Sequence, residues 1–126
     1  MAIAGIGVSH STDTILASGA RIATANGTAF NGFGGVEKLL LQLAVTAASG
    51  TGSPTLDVKL QKTIDGGTNW TDVAGGAFAQ VASGSAPVAE TIVVTGPWTD
   101  TCRLVYTIAG TNPSFTFSVK SFARAE

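Results

Sequence analysis

KLLLQLAVTAASGTGSPTLDVKLQKTIDGGTNWTDV, residues 38–73, alternates between apolar and more polar side chains. The apolar positions recur at every second residue in two runs, Leu39, Leu41, Leu43 and Val45, then Leu56, Val58 and Leu60. Because successive side chains of a strand point to opposite faces, each run can bury one face and leave the other in water. Residues 46–54 between the runs carry no apolar side chain larger than Ala. We therefore predict an antiparallel hairpin, followed by a turn at Asp65-Gly66-Gly67 and a buried Trp70.

A second unit, residues 101–122, has the same organisation. LAVTAASGTGSPTLDVK (43–59) aligns with LVYTIAGTNPSFTFSVK (104–120) with only small gaps. This similarity suggests a pseudo-symmetric pair of hairpins, one in each sheet or both in one sheet, and convergent turn chemistry explains it about as easily. Phe122 breaks the alternation of Phe115, Phe117 and Val119, which predicts a bulge or a strand end near Lys120.

The composition predicts a single all-β domain. The chain has 126 residues, 16 of them Gly, and only 12% are charged, against about 25% in an average domain. Few helix-forming Glu and Lys residues and many β-branched ones favour short strands and tight turns. About eight candidate strands with turn signals between them are typical of a β-sandwich, of jelly-roll or immunoglobulin-like topology. We expect residues 1–18 to form an N-terminal arm or edge strand, and residues 19–126 the sandwich domain.

The charge pattern argues against two classes of partner. The net charge is −1 and the charged residues are scattered singly, so no basic stripe could neutralise a row of phosphates. No apolar run approaches the roughly 20 residues of a membrane-spanning helix, and the N-terminus lacks the basic region of a secretory signal. We therefore expect no nucleic-acid partner, no membrane partner and no signal peptide.

Two residues are of types that could act as catalytic groups. His10 is the only histidine and lies in the predicted arm, where a general base would not be held rigidly. Cys102 is the only cysteine, so no intramolecular disulfide can form, and it is in phase with Leu104 and Tyr106. We expect His10 at the surface or in an interface and Cys102 in the core. The sequence thus predicts no catalytic residue and no enzyme.

The aspartates do not predict a metal centre. Calcium takes six to eight oxygen ligands, which calls for carboxylates at dense spacing. Four candidates are spread singly along the chain: Asp57, Asp65, Asp72 and Asp100. Asp65 is accounted for by turn preference and Asp57 by the solvent face of its strand, and no carboxylate pair of the glycosidase type stands out. We expect neither a metal site nor a cofactor.

Three aromatic residues leave an alternative open. Trp70, Trp98 and Tyr106 would form a carbohydrate platform if their rings were exposed together. Each lies in or beside an apolar strand pattern, so burial is the prediction. Exposed indoles would instead favour a module that binds a glycan or a receptor.

Two stretches carry a family resemblance. SGTGSPTLDVKLQKTIDGGTNWTDVAGGAFAQV, followed by RLVYTIAGTNPSFTFSV, resembles small proteins encoded beside capsid genes in tailed bacteriophages, of the head decoration or head-fibre type. The resemblance covers about residues 39–119. It implies a structural protein that decorates or stabilises the outer surface of a phage capsid, with the major capsid protein as partner.

The resemblance also implies an assembly and a location. A homo-oligomer is expected, with a trimer at three-fold positions favoured, assembled in the bacterial host cytoplasm and carried in the virion. The family has no catalytic motif, so it implies no site residue. The alternative is a glycan-binding or receptor-binding module on a phage fibre or tail.

Overall fold

In a computed structural model, which describes residues 9–33 and 36–125, all seven strands join one antiparallel hydrogen-bonded sheet. A short 3-10 turn covers Ser83–Ser85, and within the described ranges no helix is long and apolar enough to cross a membrane. The all-β prediction is confirmed, with seven described strands where about eight were expected. The strands are β1 (Ser9–Arg21), β2 (Ala25–Asn26), β3 (Lys38–Thr63), β4 (Thr71–Ala77), β5 (Val81–Ala82), β6 (Val88–Val94) and β7 (Thr101–Ala125).

β3 and β7 pair with each other from end to end. Their ladder runs from Lys38 opposite Arg124 to Thr63 opposite Thr101. The two predicted hairpins are therefore wrong, because each predicted pair of strands is one long strand whose hydrogen-bonding partner is the other unit. Alternation determines which face of a strand is buried, but it does not determine the neighbour with which the strand pairs. A segment rich in Gly can turn a strand through a corner as well as close a hairpin.

Both long strands fold back on themselves at mid-length, so the sheet forms two packed layers. Tyr106 and Phe117 are eleven positions apart in β7, which corresponds to about 36 Å along a straight strand. Their ring centroids are only 5.4 Å apart. Layer one contains β1, the second half of β7, the first half of β3, and β6. Layer two contains β2, the first half of β7, the second half of β3, β4 and β5.

The corner depends on two glycines packed around one proline. Gly50 in β3 and Gly110 in β7 have φ angles of +126° and +119°, which side chains rarely allow. A Cβ atom on Gly110 would lie 2.7 Å from the Cα atom of Pro54, and one on Gly50 would lie 2.8 Å from the Cγ atom of that proline. Pro54 is itself almost fully buried. The strands β3 and β7 can therefore turn side by side only because neither glycine has a side chain.

The hydrophobic core lies between the two layers and follows the alternation of both long strands. Most of the buried hydrophobic side chains belong to β3 and β7. Full burial of one large apolar side chain stabilises the fold by about 1.5–3 kcal/mol. Leu39, Leu41, Leu43, Val45, Leu56, Leu60, Leu104, Phe115, Phe117 and Val119 are all less than 2% exposed. The choice of buried positions in these runs agrees with the sequence pattern.

Phe122 does not end β7. The strand stays in continuous register with β3 past Lys120, with Ser121 in the buried inward position and Phe122 pointing outward, 38% exposed. The predicted strand end is wrong, and the bulge predicted near Lys120 is not in β7 itself. The irregularity lies in the neighbouring strand, where the register of β1 shifts between Thr14 and Leu16.

The described part of the predicted N-terminal segment is an edge strand. From Ser9 onward the chain forms β1, which pairs with β7 at the edge of layer one; residues 1–8 lie outside the described residues. β1 extends to Arg21, whose guanidinium donates a hydrogen bond of 2.9 Å to the backbone oxygen of Phe117. The same group lies 4.7 Å from the ring centroid of Phe117 and 5.6 Å from that of Tyr106. Arg21 therefore ties the end of β1 to both layers.

Replacing Gly110 by Ala should destabilise the protein by about 2–4 kcal/mol, because the new Cβ atom meets backbone and the φ angle becomes strained. Urea denaturation followed by tryptophan fluorescence measures the loss. Gly84→Ala is the matched control, since a Cβ atom there has no atom within 4 Å and should change stability little. Equal stability of the two variants would contradict the corner described above.

Candidate functional site

The two groups weighed for catalysis lie in different surroundings. His10 pairs through its backbone with Arg124, at the β1 edge of layer one. Cys102 is fully buried, and its thiol donates a weak hydrogen bond to the backbone oxygen of Thr99 at 3.4 Å. Burial raises the pKa of the Cys102 thiol, which keeps it protonated at neutral pH. Cys102 is thus in the core, as expected.

Each of the four aspartates contacts a different set of partners. Asp57 accepts a hydrogen bond from the amide of Gln80 at 3.0 Å, and Asp100 accepts one from the backbone of Gly32 at 3.2 Å. Asp72 accepts hydrogen bonds from Lys59 and Gln61, and Asp65 lies in the turn that follows β3. No group of three or more His, Cys, Asp or Glu side chains that could hold a metal occurs within residues 9–33 and 36–125.

Asp65 organises the turn that follows β3. Its carboxylate accepts hydrogen bonds from the backbone N–H and the side-chain amide of Asn69, at 2.9 and 2.8 Å, and from the hydroxyl of Thr63 at 2.8 Å. These donors, the Asn69 backbone N–H first among them, lower the pKa of Asp65 to about 2. The same turn places Trp70, whose indole N–H donates to the backbone oxygen of Gly67 at 3.1 Å. Asp65 therefore determines the shape of this turn.

The three aromatic residues contact separate neighbours. The Arg103 guanidinium lies 4.4 Å from the ring centroid of Trp70 and covers it. The indole N–H of Trp98 donates to the backbone oxygen of Phe33 at 3.0 Å, and Tyr106 packs edge-on against Phe117. All three rings are half-buried. Each ring is held by contacts that fix its position in the fold.

The outer face of layer two carries a connected polar network. Arg103 donates to Gln61 at 3.0 Å, Gln61 donates to Asp72 at 3.0 Å, and Lys59 forms an ion pair of 3.1 Å with the same carboxylate. The donors, that of Gln61 first, lower the pKa of Asp72. Exposed pairs of this kind add at most about 1 kcal/mol each. With Asp57 at another outward position of β3, two carboxylates balance Lys59 and Arg103 on this face. We call Lys59, Gln61, Asp72 and Arg103 the polar network.

The outer face of layer one is different, because an apolar row crosses it. Leu40 lies opposite Val93 of β6 on one side and opposite Phe122 of β7 on the other. Val93 is 64% exposed and Phe122 38%, and Leu40 is half-buried between them. Sequence reasoning missed this row, although its signal was present in the apolar residues that are out of phase with the core. We call Val93, Leu40 and Phe122 the apolar row.

Three cations surround the apolar row. Lys38 and Lys120 are exposed and Arg124 is half-buried, all at outward positions of β3 and β7. Within the described residues neither lysine forms an ion pair. The acidic residues of this layer's strands, Asp13 and Glu90, lie opposite Ser121 and Leu43, whose side chains point inward. The strand positions that face outward on this layer therefore combine apolar surface with positive charge.

A shallow cleft of about 190 Å³ lies along the apolar row. Its walls are mostly apolar, and its lining includes Leu40, Phe122, Gln42, Thr91 and Lys120. Small-molecule sites usually have volumes of about 300–1,000 Å³. This face therefore has the form of a flat protein-contact surface more than that of a ligand pocket.

Two solved structures have a fold similar to that of this chain, and a third matches more weakly. SPBc2 prophage-derived protein YomS matches with a TM-score of 0.52 and 13% identity, over 98% of this chain and 100% of that one. A structure of the disulfide-linked pili called Bacillus endospore appendages matches with a TM-score of 0.52 and 11% identity, over 99% and 95%. The capsid of Ralstonia phage GP4 gives a TM-score of 0.45 and 13% identity, over 98% and 85%. No protein-family model and no curated protein sequence matches the chain significantly.

The Asp65 turn predicts a pH dependence of stability. Folding lowers the pKa of Asp65 from 3.8 to about 2. The ionised carboxylate therefore adds to the free energy of unfolding above pH 4, and this stabilisation is lost as the pH falls toward 2. Asp65→Asn should therefore melt at a lower temperature than the wild type at pH 7, with the difference shrinking between pH 4 and pH 2. Melting temperatures of both proteins across this range test the prediction. A difference that stays constant with pH would contradict it.

Burial of Cys102 predicts slow thiol chemistry. In native buffer at pH 8 a thiol-specific disulfide reagent should label Cys102 at least about 100-fold more slowly than in 6 M guanidinium chloride, because the side chain is fully buried and protonated. Absorbance of the released thiolate follows the reaction. Rapid labelling of the folded protein would show that the β7 strand opens around this residue.

Proposed function

We propose that this chain is a structural virion protein that decorates or stabilises the outer surface of a phage capsid. The observation that carries the proposal is the outer face of layer one, where the apolar row crosses three of the four paired strands. Contiguous apolar patches on soluble proteins typically mark surfaces that contact another macromolecule. The proposed role is non-enzymatic and uses no cofactor, and its partner is the major capsid protein.

Two further observations support a phage origin. The stretches 49–81 and 103–119 resemble head decoration and head-fibre proteins of tailed phages. The fold matches a prophage-derived protein over essentially the whole of both chains. The resemblance and the fold match both support an origin in a phage genome, and the resemblance also supports a place in the virion. We therefore propose that the protein is located in the virion after assembly in the host cytoplasm.

The sheet edges support assembly into a homo-oligomer, and a trimer is the form we propose. β1 and β6 lie at opposite edges of layer one, and each pairs with one neighbour among the described strands. Strands with an open edge can add a strand or loop from another copy. Three copies on a capsid three-fold axis would triple the contact area that each copy supplies.

Cryo-electron microscopy of the virion tests the proposal directly. We expect density for this chain on the outer surface of the head, in groups of three at three-fold or quasi-three-fold positions. Sedimentation velocity of the purified chain should give a mass close to three times 12.6 kDa. Density confined to a fibre or the tail would favour the receptor-binding or glycan-binding role instead, and absence of the chain from particles would overturn both.

A further inference from the structure

We infer that the outer face of layer one is the capsid-binding surface and that its partner is an acidic protein surface with an exposed apolar ridge. This inference rests on the proposed function and deepens it by naming the face and the chemistry of the partner. The apolar row supplies the ridge contact, and Lys38 and Lys120 supply the charge contact. The polar network of layer two then faces the solvent around the particle.

The size of the face is sufficient for such a contact. Outward positions of β3 extend from Lys38 to Thr46, and four strands lie side by side across the layer. At about 3.3 Å per residue and about 4.8 Å per strand, the face measures roughly 26 Å by 19 Å, on the order of 500 Å². With a matching area on the partner, the buried surface is on the order of 1,000 Å², where specific protein interfaces begin.

The sign of the charge identifies the partner as acidic. The whole chain has a net charge of −1, yet the outward strand positions of layer one carry Lys38 and Lys120, which form no ion pair within the described residues, and no carboxylate. A positive patch on a negative chain attracts a negative surface and orients the encounter. At the outward strand positions of layer two, Asp57 and Asp72 balance Lys59 and Arg103, so no comparable excess remains.

The same charge argues against a second copy as the occupant of this face. Two copies packed with these faces together would bring the four lysines at positions 38 and 120 into one interface, and like charges at close range cost free energy. Copies of the chain are therefore expected to meet through strand edges, which leaves the outer face of layer one available for the capsid.

Binding to empty heads, assembled from the major capsid protein encoded in the same genome, tests the inference. The variant Val93→Thr with Lys120→Glu should bind at least about tenfold more weakly in co-sedimentation, because it removes ridge surface and reverses one charge. Ile64→Thr with Lys62→Glu is the matched control, since Ile64 is 87% exposed on the turn after β3 and Lys62 carries the same charge away from this face. The control should bind like the wild type.

A second variant tests the face without any substitution at Val93, which could affect the stability of β6. Lys38→Glu changes only an exposed side chain at the far end of the face, and it should also weaken binding to heads. Wild-type binding should weaken as salt is raised from 50 to 500 mM, since part of the attraction is between exposed charges. Melting temperatures of all variants serve as the folding control.

The remaining outcomes separate this inference from the proposed function. If the wild type binds heads and both layer-one variants bind equally well, the face is wrong and the capsid role stands. If the wild type does not bind heads, the proposed function fails and the inference fails with it. Loss of the oligomer in the variants would make this face a contact between copies. Wild-type binding to phosphatidylglycerol vesicles that the variants lose would make the partner a lipid, and either result overturns the inference.

Discussion

The full-length pairing of β3 with β7 is the constraint on which the rest of the structure depends. Each strand supplies half of each layer, so the two layers are covalently continuous and share one ladder of hydrogen bonds. The register of the ladder shifts three times between Val45 and Thr55, and pairing continues beyond the corner because Gly50 and Gly110 allow the two backbones to close around Pro54. Every other strand adds to an edge of this folded pair, which makes β3 and β7 the framework and the short strands its extensions.

Folding one sheet into two layers also creates two outer faces with different chemistry. On layer two the side chains of the polar network satisfy one another and hold Trp70 beneath Arg103. On layer one the outward positions combine the apolar row with lysines. A protein that binds to a larger particle needs two different faces, because the face in contact is desolvated while the opposite face stays in solvent. The contrast between the faces supports the proposed role as a capsid-binding protein.

The residues that first suggested chemistry have structural roles. Asp65 is held by Asn69 and Thr63 in the turn after β3, and its lowered pKa reflects those hydrogen bonds. Cys102 is a small core side chain beside the start of β7. A perturbed pKa indicates a functional site when the group also faces a cleft, and neither residue lines the cleft beside the apolar row. The proposed function accordingly rests on a surface, the outer face of layer one.

The sequence by itself determined the all-β class, the buried face of each long strand and the turn at Asp65, because alternation and turn preference are local properties of neighbouring residues. Only the tertiary structure decided that residues 46–54 form a corner, and that β3 pairs with β7. Pairing partners and register depend on contacts between residues far apart in the chain, which no local pattern encodes. The apolar row was hidden for the same reason. Leu40, Val93 and Phe122 are distant in sequence, and they become one surface only when three strands bring them side by side.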